Sequence, residues 1–132
     1  MGYMKEDVRA AVLIEKDGKY LLVQEAAPVI YGSWNWQQGK VDEGEEPKDA
    51  AVREAKEETG LDVRLVRKLG VVDNPFPGTK ETHIYLGEVM DGSLSFSKKE
   101  ILDARWYTKA EIMDMKDRLT GSWVIKILSL LE

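Results

Sequence analysis

The stretch Gly39–Leu61, GKVDEGEEPKDAAVREAKEETGL, decides how the rest of the chain reads. A turn-rich loop leads into a helix predicted over Glu46 to Thr59. Pro47 suits the first helical position, where the N–H it lacks would be unpaired anyway, and Gly60 suits the left-handed residue that ends a helix. At about 100° per residue, Glu54, Glu57 and Glu58 share one stripe, while Ala51, Val52, Ala55 and Thr59 form an apolar stripe beside it. One face packs and the other collects negative charge.

That charge is locally unfavourable. Like charges at i,i+4 cost roughly 0.2–0.5 kcal/mol per pair, and Glu57 and Glu58 lie at the helix end where the macrodipole disfavours anions. A hard divalent cation would offset both effects, because Mg2+ takes carboxylate oxygens and bridges them to substrate phosphates. A solvated acidic face is the alternative that the helix alone leaves open. The wider spacing narrows the choice. Gly39, Glu45, Arg53, Glu54, Glu57, Glu58, Gly60 and Leu61, with small Ala55 at the first aliphatic position, fit G-x5-E-x7-R-E-U-x-E-E-x-G-U, where U is aliphatic. The stretch thus resembles the Nudix box, a pattern with far more fixed positions than a lone GxGxxG.

The resemblance implies an α/β fold, a Nudix-type α-β-α sandwich in which helices pack on a mixed sheet, as a single domain over residues 1–132. It implies Mg2+ as cofactor, with Mn2+ as a substitute. The metal positions it implies are Glu54, Glu57 and Glu58, the Gly39 carbonyl and a loop glutamate, Glu100, six residues before Trp106. Arg53 would orient the glutamates and Glu45 would brace the loop. Glu54 is the first candidate for the general base and Glu100 the second. One departure stands out: the usual Pro-Gly before Gly39 is replaced by Gln37-Gln38.

Composition sets outer bounds. A chain of 132 residues with 43% hydrophobic and 33% charged residues reads as one globular domain. A formal charge of −5 opposes binding to long nucleic acid, while a bound cation would still bring in a small polyphosphate. The absence of cysteine excludes disulfides, thiol catalysis and Cys-ligated zinc. No apolar leader and no run near 18 apolar residues is seen. These features predict a soluble, cytoplasmic protein without a membrane partner, as monomer or homodimer.

Outside the box, Val8–Glu15 and Lys19–Glu25 read as a hairpin around Asp17-Gly18, a pair that tolerates positive φ. Ala26–Ser33 reads as a loop and Ser33–Gln37 as a strand entering the box. Asp62–Asp73 and Glu81–Met90 read as strands separated by the Pro- and Gly-rich loop Asn74–Gly78. Ser93–Asp103 is predicted as a polar loop and Ala104–Tyr107 as a short strand. Thr108 with Glu111 forms a capping box that starts a helix over Lys109–Met115. Ser122–Leu131 is predicted as an amphipathic closing helix.

For the substrate, Tyr31, Trp34 and Phe76 are candidates to stack on a base, and Lys40 to contact phosphate, with core packing and solvated surface as the respective alternatives. Trp36 is a further stacking candidate for which core packing is the favoured alternative, Trp106 and Trp123 are assigned to the core, and His83 to a structural or surface role. The expected activity is Mg2+-dependent cleavage of a phosphoanhydride in a small nucleoside di- or triphosphate, or in a related nucleoside diphosphate linked to a second group. ADP-ribose, NADH or a dinucleoside polyphosphate is the alternative substrate. A nucleotide-binding module without catalysis is the alternative of another class, and the intact Arg53, Glu54, Glu57, Glu58 set weighs against it.

Overall fold

The computed structural model of the chain describes residues 7–73 and 79–132. Strands β1 (Asp7–Lys16) and β2 (Lys19–Glu25) form the predicted hairpin, with Asp17 and Gly18 at φ 52° and 78°. These are the positive φ values that a two-residue turn matching the strand twist requires. The two strands pair only beside the turn, at Glu15–Tyr20 and Lys16–Lys19.

Farther along they are forced apart by the segment entering the box. The single strand expected over Ser33–Gln37 is two short ones, β3 (Trp34–Asn35) and β4 (Gln37–Lys40). β3 pairs with β2 through Asn35–Val23 and Trp34–Gln24, whereas β4 pairs with β1 from Lys40–Arg9 to Gln37–Val12. The segment is therefore a wedge that changes partners at Trp36. Gln37 holds it closed: this buried side chain donates from Nε2 to the Leu21 carbonyl at 3.1 Å, tying β4 to β2. Where the Nudix pattern has proline, this chain has a cross-strand hydrogen bond.

After the helix α1 (Pro47–Thr59) come β5 (Asp62–Asp73), β6 (Thr79–Asp91) and β7 (Ile101–Tyr107). The order is β3-β2-β1-β6-β5, with β4 also on β1 and β7 also on β2. β1 and β6 run parallel and the other pairs antiparallel, so the sheet is mixed as expected. β7 begins three residues earlier than the polar reading of Ser93–Asp103 placed it, because Ile101 is buried and pairs with Glu25. The capping box at Thr108 and Glu111 is present and starts α2, which ends at Met113 (Lys109–Met113). The closing helix α3 covers Trp123–Leu128 and tightens into a 3-10 turn over Ser129–Leu131.

Alternation along β1 sends Ala10, Val12 and Ile14 to one face and Ala11 and Leu13 to the other. The first face is covered by Ala50, Ala51 and Ala55 of α1. The second is covered by Ile112 and Met115 and by Trp123, Val124, Ile127 and Leu128 of α3. Trp36 is fully buried there and donates from Nε1 to the Val124 carbonyl at 3.1 Å, which pins α3 to the wedge. No helix among the described residues is long and apolar enough to cross a membrane.

Candidate functional site

The site begins with the contact between β4 and α1. Pro47 and Gly60 bound the helix as predicted; Gly60 has φ 81° and donates its N–H to the Lys56 carbonyl at 2.9 Å. Gly39 pairs with Ala10 and faces the helix, directly under Glu54. A Cβ built on Gly39 would overlap the Glu54 carboxyl carbon and both of its oxygens. Only glycine leaves room for that carboxylate.

Arg53 organises the loop around it. Its Nε and an Nη donate to the two oxygens of Glu45 at 2.9 and 3.0 Å, a paired geometry that a guanidinium makes and an ammonium does not. It also donates to the Lys40 carbonyl at 2.9 Å and to Glu57 at 3.1 Å, and lies 3.5 Å from Glu54. Glu45 in turn accepts the Asp42 N–H at 3.0 Å. One cation thus joins the loop, the end of β4 and the acidic stripe. Its hydrogen bonds hold the Glu45 carboxyl below the usual carboxylate range and push the Arg53 guanidinium up.

The acidic stripe is not a solvated face. The Glu54 side chain is 14% exposed against 55% for Glu57. Burial, with the Glu57 charge added, pushes Glu54 up to about 7. Glu58 is pushed well above the usual range by burial and by the charges of Glu54, Glu25 and Glu100, although it accepts a hydrogen bond from the Gln38 backbone N–H. Glu25, the last residue of β2, is also raised by burial; Asn35 donates to it at 2.9 Å and Arg9 is the nearby counter-charge. Arg9 is oriented by Gln38, whose Oε1 accepts its Nε–H at 2.7 Å.

These shifts have a sign. Glu54 and Glu58 hold protons more tightly folded than unfolded, so the folded chain binds more protons above the usual carboxylate range, for Glu54 up to about 7. Stability of the metal-free protein therefore falls as pH rises through that window. We expect Tm without metal to be lower at pH 8 than at pH 5 by about 5 °C or more, and millimolar Mg2+ at pH 8 to recover the loss. Scanning calorimetry at both pH values checks it; a Tm that rises steadily with pH would contradict the assignment. Glu45 does not interfere, because its lowered value matters only below the usual carboxylate range.

The donor chemistry fits a hard divalent cation, since the acids that gather here are all carboxylates, on α1, β2 and the loop before β7. His83 is engaged elsewhere, between Lys68 at 2.8 Å and Glu81 at 2.6 Å. Among the described residues no three acids stand close enough to form a closed ligand set.

A family model described as the NUDIX domain matches residues 4–126. The chain belongs to the NUDIX domain family. A NUDIX hydrolase from Nitrosomonas europaea superposes with TM-score 0.81 at 27% identity, covering 96% of this chain and 88% of that one. A MutT NUDIX hydrolase from Burkholderia pseudomallei superposes with TM-score 0.82 over 96% of this chain and 98% of that one; its 23% identity speaks to the fold alone. The NAD-capped RNA hydrolase NudC of Mycobacterium tuberculosis (strain ATCC 25618 / H37Rv) is 39% identical over 74 residues, 56% of this chain and 24% of that protein. The chain spans 24% to 52% of the length of the first curated relatives it matches.

Against the NUDIX pattern, the structure brings together Gly39, Glu45, Arg53, Glu54, Glu57 and Glu58, and sets Glu100 within electrostatic reach of Glu58, in the turn whose Glu100 carbonyl accepts the Ala26 N–H at 3.1 Å. It does not bring in the Lys40 ammonium. Gly39 faces α1, so the next side chain on the strand points away from it, and Lys40 lies 3.5 Å from Asp7. Trp34 is a correction: it is 7% exposed and packs edge-on against Tyr107 in the core, so it offers no free face for stacking. Tyr31 is 66% exposed, just after the 3-10 turn Pro28–Ile30. Phe76 lies outside the described residues.

Sequence reading missed Glu25 and the Arg9–Gln38 pair, which reach the NUDIX acids through strand pairing. The one local signal for Glu25 was an acid closing a strand whose middle, Tyr20 to Val23, is apolar. It also missed a cleft of about 660 Å3 lined by Ile30 and Leu130 and by Val72, Asp73, Trp123 and Lys126, among others. None of the box acids lines this cleft. Its Thr120 wall is tied to the site through Trp34, whose carbonyl accepts the Thr120 N–H at 2.9 Å and hydroxyl at 2.7 Å, one residue before Asn35.

Proposed function

We propose that the chain is a divalent-cation-dependent hydrolase that cleaves the phosphoanhydride of a nucleoside diphosphate linked to a further group. The observation that carries this reading is the pair Glu54 and Glu58, desolvated side by side with Glu54 seated over Gly39. Buried like charges are costly unless something neutralises them, and a structural role would be served better by apolar side chains. Glu54, Glu57 and Glu58, with the Gly39 carbonyl, would hold Mg2+ or Mn2+. When bound, the cation supplies Lewis-acid stabilisation of phosphate charge and a more acidic water.

The chain's own residues do the rest. Arg53 fixes Glu45 and Glu57 and so sets the direction of the stripe. Glu54 is the first candidate to take the proton from the attacking water, with Glu100 the second. Phosphoanhydride cleavage needs mainly charge stabilisation and an in-line approach, which such a scaffold supplies. The cleft beside β3 is lined by apolar residues (Ile30, Val72, Ile127 and Leu130 among them) and by polar ones (Asp73, Thr120, Ser122, Lys126 and Ser129) in nearly equal parts, and its size is that of a small-molecule site. Related chains bear names such as UDP-X diphosphatase and Ap4A hydrolase, which supports a nucleoside diphosphate as the common part of the substrate. A cytoplasmic location is compatible with this reading.

A panel of nucleoside triphosphates, ADP-ribose, NADH and dinucleoside polyphosphates, assayed with Mg2+ or Mn2+ and again with chelator, tests it. Turnover on at least one of them that disappears with chelator is expected. Binding with no turnover on any of them would instead make the chain a nucleotide-binding module.

A further inference from the structure

Outside the box the chain holds a reactive pair, Asp91-Gly92, at the point where β6 ends and the backbone leaves the sheet. The Gly92 N–H donates to Oδ1 of the Asp91 side chain at 2.8 Å. A backbone nitrogen is thus set against the carboxyl group of the residue before it. We propose that Asp91-Gly92 is a site of spontaneous isoaspartate formation, and that the linkage formed there loosens the end of the box helix. The inference goes beyond the hydrolase reading and does not depend on it.

The reaction needs only water. The Gly92 nitrogen attacks Cγ of Asp91, the N–Cγ bond forms, and the carboxyl hydroxyl leaves with the amide proton as water, giving a five-membered succinimide. Solvent water then opens the ring. Breaking the new N–Cγ bond restores aspartate. Breaking the original peptide bond leaves the chain running through Cγ, with the α-carboxylate as a side group. The net change is an isomerisation that lengthens the backbone by one carbon.

Three features single out this pair. Because Cγ is one bond from the accepting oxygen, the reacting atoms stand near the roughly 3–3.5 Å of a near-attack arrangement. Both residues are exposed, so water reaches the ring. The fold also requires the least hindered nucleophile: Gly92 has φ 92°, and a Cβ there would come within 2.7 Å of the Gly60 carbonyl oxygen. Asn35 with Trp36 and Asp103 with Ala104 make the same contact, but there the nitrogen belongs to a residue with a side chain, in or beside a paired strand.

The place of the pair gives the reaction its consequence. A Cβ on Gly60 would lie 2.8 Å from the Ser93 carbonyl oxygen, and the Ser95 N–H donates to the Thr59 carbonyl at 2.8 Å. The segment after Asp91 therefore packs on the end of α1 and satisfies one of its open carbonyls. The last turn of α1 carries Glu57 and Glu58. Contacts this close leave no slack for a longer backbone, so the new linkage has to shift the cap.

The chain carries its own control. At Asp17-Gly18 both residues are held at positive φ between paired strand ends, and among the described residues no bond brings the Gly18 N–H to the Asp17 carboxyl. The metal-free protein is aged for several weeks at neutral pH without oxygen, digested, and mapped by mass spectrometry with labelling by an isoaspartyl methyltransferase. Isoaspartate should accumulate at Asp91 at least about fivefold faster than at Asp17. The Tm of the aged protein should be lower than that of the fresh protein by about 3 °C or more, and treatment with the methyltransferase and S-adenosylmethionine, which returns the linkage to aspartate, should recover it. Asp91→Glu, whose carboxyl would have to close a six-membered ring, should keep its fresh Tm over the same weeks. Equal accumulation at the two sites, or none at Asp91, overturns the proposal. So does a Tm that is unchanged by isoaspartate at Asp91, or that falls as far in Asp91→Glu. Thermal stability is the readout, so these outcomes hold whether or not the chain proves to be a hydrolase.

Discussion

Glu58→Gln should reduce kcat at least about 100-fold while raising the thermal stability of the metal-free protein at pH 8. The two signs come from one cause. Glu58 is desolvated and faces the charges of Glu54, Glu25 and Glu100, so its ionised form costs folding free energy and its neutral form does not. Glutamine keeps the shape, keeps an oxygen to accept the Gln38 N–H, and carries no charge. The gain in Tm should be larger at pH 8, at about 5 °C, than at pH 5, because the costly ionised form grows as pH rises. Added Mg2+ should raise the Tm of the wild-type protein more than that of the variant, because the variant has lost a hard anionic ligand. A plain structural glutamate predicts the reverse: lower stability in the variant at every pH and little change in turnover. Calorimetry at two pH values with and without Mg2+, beside a steady-state assay, separates the two.

The parts of this site that were legible in the sequence are those whose causes are local. Pro47 and Gly60 bound α1 because each residue's own backbone chemistry sets the boundary, and Asp17-Gly18 marks the hairpin for the same reason. The acidic stripe follows from helical periodicity within a dozen residues. What was not legible depends on partners far along the chain. Trp34 looks the same in sequence whether it faces solvent or Tyr107, and 73 residues separate the two. Gln37 reads as a polar interruption until Leu21 is seen opposite it. Glu25 joins the acids only because β3 wedges the hairpin open and Asn35 reaches across. The early start of β7 was hidden because Ile101 and Leu102 make too short an apolar run to stand out beside Lys98, Lys99 and Glu100. Nonlocal pairing, rather than propensity, decided each of these.

The same nonlocality makes Gly39→Ala the other variant with a large expected effect. Gly39 is on β4 and Glu54 on α1, and the added methyl would occupy the space of the Glu54 carboxylate. Two responses are open to the protein. Glu54 can leave its place, which displaces a candidate ligand and base, or β4 can move away from the helix, which strains its pairing with β1 and the Arg53 hydrogen bond to the Lys40 carbonyl. The atoms in the way are the free end of one side chain, so moving Glu54 costs the fold little, whereas a displacement of about 1 Å at the reacting groups costs on the order of 100-fold in rate. We therefore expect turnover lower by about two orders of magnitude, with the loss in kcat, and a Tm that changes little when Glu54 is the group that moves. Combining the change with Glu54→Gln tests its route. If the methyl acts by evicting Glu54, the rate losses will not add, and the double variant will be little slower than the worse single one. Losses that multiply would instead place Gly39 and Glu54 in separate roles and remove the close approach of strand and helix from the account of the site.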